Sequence, residues 1–248
     1  MNILVCVKHV PDTETAVKIG SDGKSIQTQD VNFILNPYDE FAVEEALKIK
    51  EAQGGEVTLI TLGPEEAKKS LRTGLAMGAD KAIHIACDAM HDSMTVARCL
   101  AEGIKDLAYD LILCGKQAVD EDNAQVPIML AEKLNLPNVS AVVNLELGDG
   151  KATAHREFEG GIEVVETSLP AVISAQKGLN EPRYASLKGI MTAKKKEIAD
   201  LPCTCADSDI EVLDLAYPKP RSGGKIVGEG KDAVPELVRL LREEAKVL

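Results

Sequence analysis

The chain has 248 residues, 45% of them hydrophobic, no tryptophan, and a formal net charge of -12. That acidity argues against nucleic acid as a partner, because phosphate backbones need a basic face. No apolar run approaches the roughly 20 residues that span a bilayer, and the opening MNILVCVKHV is too short and too soon charged for a secretory leader, so a cytoplasmic protein with an aliphatic core is expected.

Short, nearly continuous apolar runs at 3–7, 57–62, 82–86 and 111–114 predict buried strands. Between and after them, apolar residues at helical spacing predict helices over 38–53, 64–77, 92–107 and 123–134. Pro64 suits a first helical position, and Gly54-Gly55 stops the helix before it. Strand alternating with helix implies an α/β fold with a mostly parallel sheet covered on both faces. After Pro137 the period changes. Residues 140–147, 152–158 and 163–166 alternate like antiparallel strands with turns at GDG and EGG, and 171–175 is a further apolar strand. Residues 202–230 are rich in proline and glycine and read as a linker or arm. The chain closes with a helix over 232–247 whose stripe is Val234, Leu237, Val238, Leu241 and Ala245. That stripe either packs on its own domain or crosses to a partner.

Catalytic groupings are missing from the sequence. No G-x-G-x-x-G follows a strand, and GKS at 23–25 lacks the earlier glycine of a phosphate loop, that position being Lys18. His9, His84, His91 and His155 are scattered among different elements and read as structural. The pairs Glu44-Glu45 and Glu65-Glu66 read as solvated helix faces. Cys6, Cys87, Cys99 and Cys114 lie in apolar runs, where a free cysteine acts as a small hydrophobe. Cys203 and Cys205 form a C-x-C with no second pair at zinc spacing nearby.

One stretch has the layout of a ligand site. In LILCGKQAVDEDNAQVPIMLAE, from 111 to 132, a buried strand ends at Gly115, a polar loop follows, and a helix begins near Asn123. Open α/β sheets bind ligands beyond the carboxyl ends of their strands, and a helix start offers free N–H groups to a phosphate. Gly115 would let a ligand approach the backbone, with Lys116 and Gln117 as donors. Asn36-Pro37 opens another helix, as a plain cap or as a second wall.

A second stretch is odd for so acidic a chain. NEPRYASLKGIMTAKKKE, from 180 to 197, carries five basic residues against two acidic ones. On its residues alone it reads as a surface loop leading into a lysine-rich helix start.

NPYDEFAVEEA, GLAMGAD, LILCGKQAVDED and LNEPRYASLKGIMTAKKK, in this order and spacing, resemble the β subunit of electron-transfer flavoproteins. The likeness runs from the first strand to the end of the lysine run and weakens after Pro202. It implies a Rossmann-like α/β domain over 1–200, of the adenine-nucleotide-binding type, with antiparallel additions. A C-terminal arm and helix over 201–248 would pack on the partner subunit. It also implies a heterodimer whose α subunit holds most of the redox-active FAD, an AMP buried in this chain (the alternative being a second FAD, as in electron-bifurcating members), and a role as carrier rather than enzyme. Electrons would pass from dehydrogenases such as acyl-CoA dehydrogenases to a quinone reductase or another acceptor.

Carried over by position, the nucleotide contacts would be Cys6, the wall Asn36, Pro37, Tyr38 and Asp39, and Leu62 at another strand end. The loop Gly115, Lys116, Gln117, Ala118, Val119, Asp120, Glu121, Asp122 and Asn123 would wrap the ribose and phosphate, with Ala124, Gln125 and Val126 at the helix start. Residues 183–192 correspond to the recognition loop that docks partner dehydrogenases through Arg183, Tyr184, Leu187, Ile190 and Met191, Leu187 being the inserted anchor. Lys188 and Gly189 depart from the common Pro-Asn, Thr192 from a common lysine, and Pro127 from a glycine. A universal-stress-type ATP-binding protein is the competing reading, but its G-x2-G-x9-G-[ST] loop is absent from the sequence.

Overall fold

The computed structural model describes residues 1–88, 92–204, 208–221 and 223–248, so His91 and Cys205 lie outside the described residues. The chain begins with β1 (Asn2–Cys6), β2 (His9–Pro11), β3 (Phe33–Leu35), α1 (Pro37–Gln53) and β4 (Glu56–Gly63). A 3-10 turn at Glu65–Ala67 leads into α2 (Lys68–Met77), followed by β5 (Lys81–Ala86), α3 (Ser93–Ile104), β6 (Leu111–Gly115) and α4 (Val126–Leu134). Then come β7 (Asn138–Gly148), β8 (Lys151–Phe158), β9 (Gly161–Ser168), β10 (Val172–Ala175), α5 (Leu187–Ala193), β11 (Ile198–Pro202) and α6 (Val234–Glu243).

The main sheet runs β11-β5-β4-β1-β6-β10-β7-β8-β9. Pairing is parallel from β11 to β7 and antiparallel from β7 to β9. The chain steps outward from β1 to β4 and β5, then returns to lay β6 on the other side of β1. The strand order therefore reverses between β1 and β6, where an open α/β sheet forms its ligand crevice. Side chains alternate across the strands. Ile3, Val5, Leu111 and Leu113 pack with Val43, Leu47, Leu71 and Leu75 of α1 and α2. Leu4, Cys6, Ile112 and Cys114 pack with Ala97, Leu100 and Leu130 of α3 and α4. Burying such aliphatic side chains contributes about 1.5–3 kcal/mol each, which is how a chain poor in aromatics holds its core. The hairpin β7–β8 turns at Asp149-Gly150, both left-handed with φ of 53° and 74°, as a two-residue turn requires.

Several boundaries differ from the sequence reading. Helix α4 begins at Val126 rather than 123, because Asp122 and Ala124 take left-handed φ of 52° that no helix accommodates. Pro64 is not the first residue of a long helix; it is extended (φ -66°, ψ 171°) and precedes the 3-10 turn. Strand β11 and the small β2–β3 sheet carry no clear periodic signal in sequence. The final helix is shorter than 232–247, with a 3-10 turn at Lys231–Ala233 before α6. None of the α6 residues is buried, so its apolar stripe does not pack on the domain. Glu44 and Glu45, expected on a solvated face, are 5% exposed each. Arg183 Nε donates to Glu44 Oε2 at 2.8 Å and Asn180 Nδ2 to Glu45 Oε2 at 2.8 Å, which offsets the cost of burial. Cys99, expected as a free thiol, is disulfide-bonded; the thiol of Cys203, which is free, lies 3.9 Å from its Sγ, where α3 faces the chain leaving β11.

Candidate functional site

A cleft of about 260 Å³ opens at the switch point between β1 and β6. Its floor is formed by Cys6 and Cys114, in register on adjacent strands. Of the expected contacts, Cys6, Asn36, Asp39, Leu62, Gly115, Gln117, Ala118, Asp120, Glu121, Asn123, Ala124, Gln125 and Val126 line it. Pro37, Tyr38, Lys116, Val119 and Asp122 are not on its wall. Lys116 instead donates its backbone N–H to Ala175 O at 2.9 Å, as a continuation of the β6–β10 ladder. The sequence reading missed the side walls: Val7, Lys8 and His9 from the end of β1, Gly63, Pro64 and Ala67 from the end of β4, and Ser93, Val96 and Leu100 from α3. The last three fall at i, i+3, i+7, one face of a helix, and that spacing is visible in the sequence.

Asp39 and Asn36 bind the cleft's elements together. Asp39 sits in the first turn of α1, where Lys8 N–H donates to its Oδ2 at 2.7 Å and Gly115 N–H to its Oδ1 at 3.1 Å. Burial pushes its carboxyl up to about 7, opposed by hydrogen bonds from Asn36, Lys8 and Gly115. Asn36 makes no side-chain cap on α1; its Nδ2 donates to Gln117 O at 2.9 Å and its Oδ1 accepts from Val119 N–H at 3.2 Å. Gly115 has a further reason beside the one expected. A Cβ there would overlap Asp39 Oδ1 and lie 2.7 Å from the Tyr38 carbonyl carbon, so this glycine admits the first turn of α1 while lining the cleft.

The acidic loop after β6 is held by its neighbours and its charge partly offset. Lys8 Nζ lies 2.8 Å from Asp120 and 3.5 Å from Glu121, closing an ion pair across the cleft mouth. Asn123 Nδ2 donates to Ser93 Oγ at 2.7 Å and to Glu121 Oε2 at 3.0 Å, and Gln117 Nε2 to Asp122 Oδ1 at 2.7 Å. The N terminus of α4 has no side-chain cap, and Gln125, Val126 and Pro127 at its start line the cleft. Pro127 removes one donor from that first turn. His9 stacks on Phe33 at 5.0 Å and its Nδ1 meets Ser70 Oγ at 2.7 Å. Burial, then the nearby Lys69 charge, lowers its pKa, with Glu66 opposing, so it faces the cleft uncharged at neutral pH. An apolar slot between Leu62, Val96 and Leu100 with donors at one end suits a flat heterocycle carrying a phosphate.

Among the described residues, Glu65, His84 and Asp200 bring their ligand atoms within 4.8 Å of one another. Lys68 Nζ already bonds both carboxylates, at 2.8 and 2.9 Å. The fully buried His84 meets Asp200 at 3.0 Å and Gly63 O at 2.9 Å. This network ties β11 to the end of β4 and supports the structural reading of His84.

The basic finger is rooted on α1 and packs against α2. Its root is fixed on α1: Arg183 bonds Glu44 and Glu51, at 2.8 Å to Glu44, and Asn180 Nδ2 donates to Phe41 O at 3.0 Å. Tyr184, Leu187 and Met191 are 99%, 84% and 70% exposed, with Ile190 beside them. Arg183, expected as a docking residue, braces the finger, with Nε, Nη1 and Nη2 all bonded to the carboxylates of Glu44 and Glu51. No helix among the described residues is long and apolar enough to cross a membrane.

Residues 24–204 match the family model described as the electron transfer flavoprotein domain. The chain is 42% identical to the electron transfer flavoprotein subunit beta of Bacillus subtilis (strain 168), over all of both chains. It is 42% identical to that of Syntrophomonas wolfei, covering 100% of this chain and 98% of the relative. With the mitochondrial electron transfer flavoprotein subunit beta of Oryza sativa subsp. indica it shares 40% over both full lengths. These matches displace the universal-stress-type reading: the chain belongs to the electron transfer flavoprotein family, among its β subunits, and its function is electron transfer.

Proposed function

We propose that this chain forms a heterodimer with an electron-transfer flavoprotein α subunit and holds AMP in the cleft at the β1–β6 switch point, while the redox-active FAD sits mainly on the partner. The observation that carries the nucleotide reading is the cleft itself. Its size, about 260 Å³, falls just below the usual range of small-molecule pockets, roughly 300–1,000 Å³, and suits a mononucleotide better than a dinucleotide. Pro127 points the same way, since a pyrophosphate would need more N–H donors at α4 than that turn supplies. AMP has no redox chemistry, so the chain acts as carrier scaffold and not as an enzyme. It would take electrons from dehydrogenases such as acyl-CoA dehydrogenases and deliver them to a quinone reductase or another acceptor.

The exposed finger over 183–192 docks the dehydrogenase, with Leu187 as its anchor. Burying one leucine is worth about 1.5–3 kcal/mol, enough to hold an encounter that must still release. Residues 201–248 form the arm to the α subunit. That assignment is supported by the uncovered stripe of Val234, Leu237, Val238 and Leu241 at its end. A cytoplasmic location belongs to the same proposal. The test is to denature the purified heterodimer and quantify the released nucleotides by chromatography. One FAD and one AMP are expected. Two FADs would assign the cleft to a second flavin and the protein to the bifurcating branch, while ATP would overturn the cofactor assignment.

A further inference from the structure

We infer that helix α2 presets the angle at which the finger presents Leu187, with Arg72, Gly189 and Lys196 as positioning residues, so that docking is a meeting of rigid bodies. The inference rests on the docking reading above. Helix α5 has seven residues, too few to be stable in water by itself. What holds it is a reciprocal arrangement with α2. The Arg72 guanidinium of α2 donates to Ala193 O, the last carbonyl of α5, and to Lys196 O in the turn that follows, where Lys196 N–H also reaches Ala193 O at 3.2 Å. Lys196, just beyond α5, donates its ammonium to Leu75 O and Ala79 O at the end of α2. Arg72 of α2 thus holds the end of α5, and Lys196 in the turn after α5 holds the end of α2, where a positive charge is favoured.

Gly189 lets the two helices meet. A Cβ at this position would overlap Ala76 O, a backbone atom that cannot rotate away. At the other end of α5, Ser186 Oγ accepts from Gly189 N–H at 3.0 Å and fixes where the helix begins. With both ends and one face fixed, Leu187 and Met191 are left outward. Ordering a loop on binding costs affinity that a pre-ordered loop retains. The departure from the common Pro-Asn at 188–189 acquires a physical meaning: it sets the distance between α5 and α2. The same α2 begins beside the cleft wall at Pro64 and Ala67, so cleft and finger share one support.

The experiment uses the heterodimer with an acyl-CoA dehydrogenase as electron donor, and compares wild type with Arg72→Met, Arg72→Lys, Gly189→Ala and Leu187→Ala. Two quantities are read: hydrogen-exchange protection of the amides over 189–193, and the KM and kcat for flavoprotein reduction. Retained cleft nucleotide verifies folding of each variant. Arg72→Met and Gly189→Ala should lose protection and raise KM about tenfold, the scale of an ordering cost near one rotamer-rich segment, with kcat held; Arg72→Lys should recover part of both. Unchanged protection in Arg72→Met and Gly189→Ala overturns the inference. So does lost protection with unchanged KM, since the partner would then be ordering the finger itself. If Leu187→Ala leaves KM unchanged, the docking reading fails, and this inference with it.

Discussion

Replacing Asp39 by asparagine should change how stability depends on pH, and the sign follows from the carboxylate's burial. In the folded protein its pKa lies at about 7, against an ordinary value of 3.8. A carboxyl raised on folding keeps its proton in the native state while the unfolded chain has lost it, so stability falls as pH rises through that window. The slope is about 1.4 kcal/mol per pH unit between the two values, hence a loss of roughly 2–3 kcal/mol from pH 5 to pH 8 from this residue alone. The substituted amide would remain neutral throughout. Its oxygen would keep one of the two backbone N–H bonds, from Lys8 or Gly115, and its NH2 would face the other donor, at a cost of about 1–3 kcal/mol. The variant should therefore be less stable than wild type at pH 5, and the gap should close or reverse by pH 8. Equilibrium urea unfolding of both proteins at pH 5, 6, 7 and 8 and equal ionic strength measures the difference, in which other titrating groups largely cancel. A gap that stays constant, or widens with rising pH, would mean that Asp39 is stabilised as an anion and would refute the reasoning.

Gly115→Ala should destabilise by about 1–3 kcal/mol, the scale of overpacking, and lower nucleotide content in the purified protein, because α1 must retreat from the cleft; unaltered thermal unfolding would show that the turn has room. Asp92 caps α3 through Met94 N–H and Thr95 N–H and also accepts from Ser208 Oγ and Asp209 N–H. Asp92→Ala should cost about 1 kcal/mol and speed proteolysis of the chain after β11, whereas an unchanged cleavage rate would mean that the arm root is held elsewhere. Leu187→Ala should leave the unfolding midpoint unaltered, since the side chain is 84% exposed, yet weaken dehydrogenase docking by about tenfold or more. A shifted midpoint would place Leu187 in the fold instead.

The parallel core was legible in the sequence because its strands are continuous apolar runs and its helices carry clean spacing. The loop from Gly115 to Asn123 was legible for the same reason, lying between a strong strand and a strong helix. Less visible was whatever depends on long-range pairing. Strand β11 offers only Ile198 and Leu201 to the two core faces and is placed by the bonds of His84 and Lys68 to Asp200. The burial of Glu44 and Glu45 depends on residues more than 130 positions away. The left-handed turn at Ala124 could not be foreseen, because alanine favours helix and tertiary context overrides it here. Gly115 and Gly189 look alike in sequence, as glycines beside interesting motifs, but each answers to a neighbouring backbone that only the fold brings near.

The bare stripe on α6 has a consequence for the life of the chain before it finds company. A newly made copy carries an amphipathic helix beyond a proline- and glycine-rich stretch that is tied to the domain as far as Tyr217, whose hydroxyl accepts from Ile19 N–H at 2.9 Å. Such a patch invites self-association or chaperone capture at high local concentration. Production of this chain by itself should therefore be met by clumping or turnover, driven by the last turns of helix.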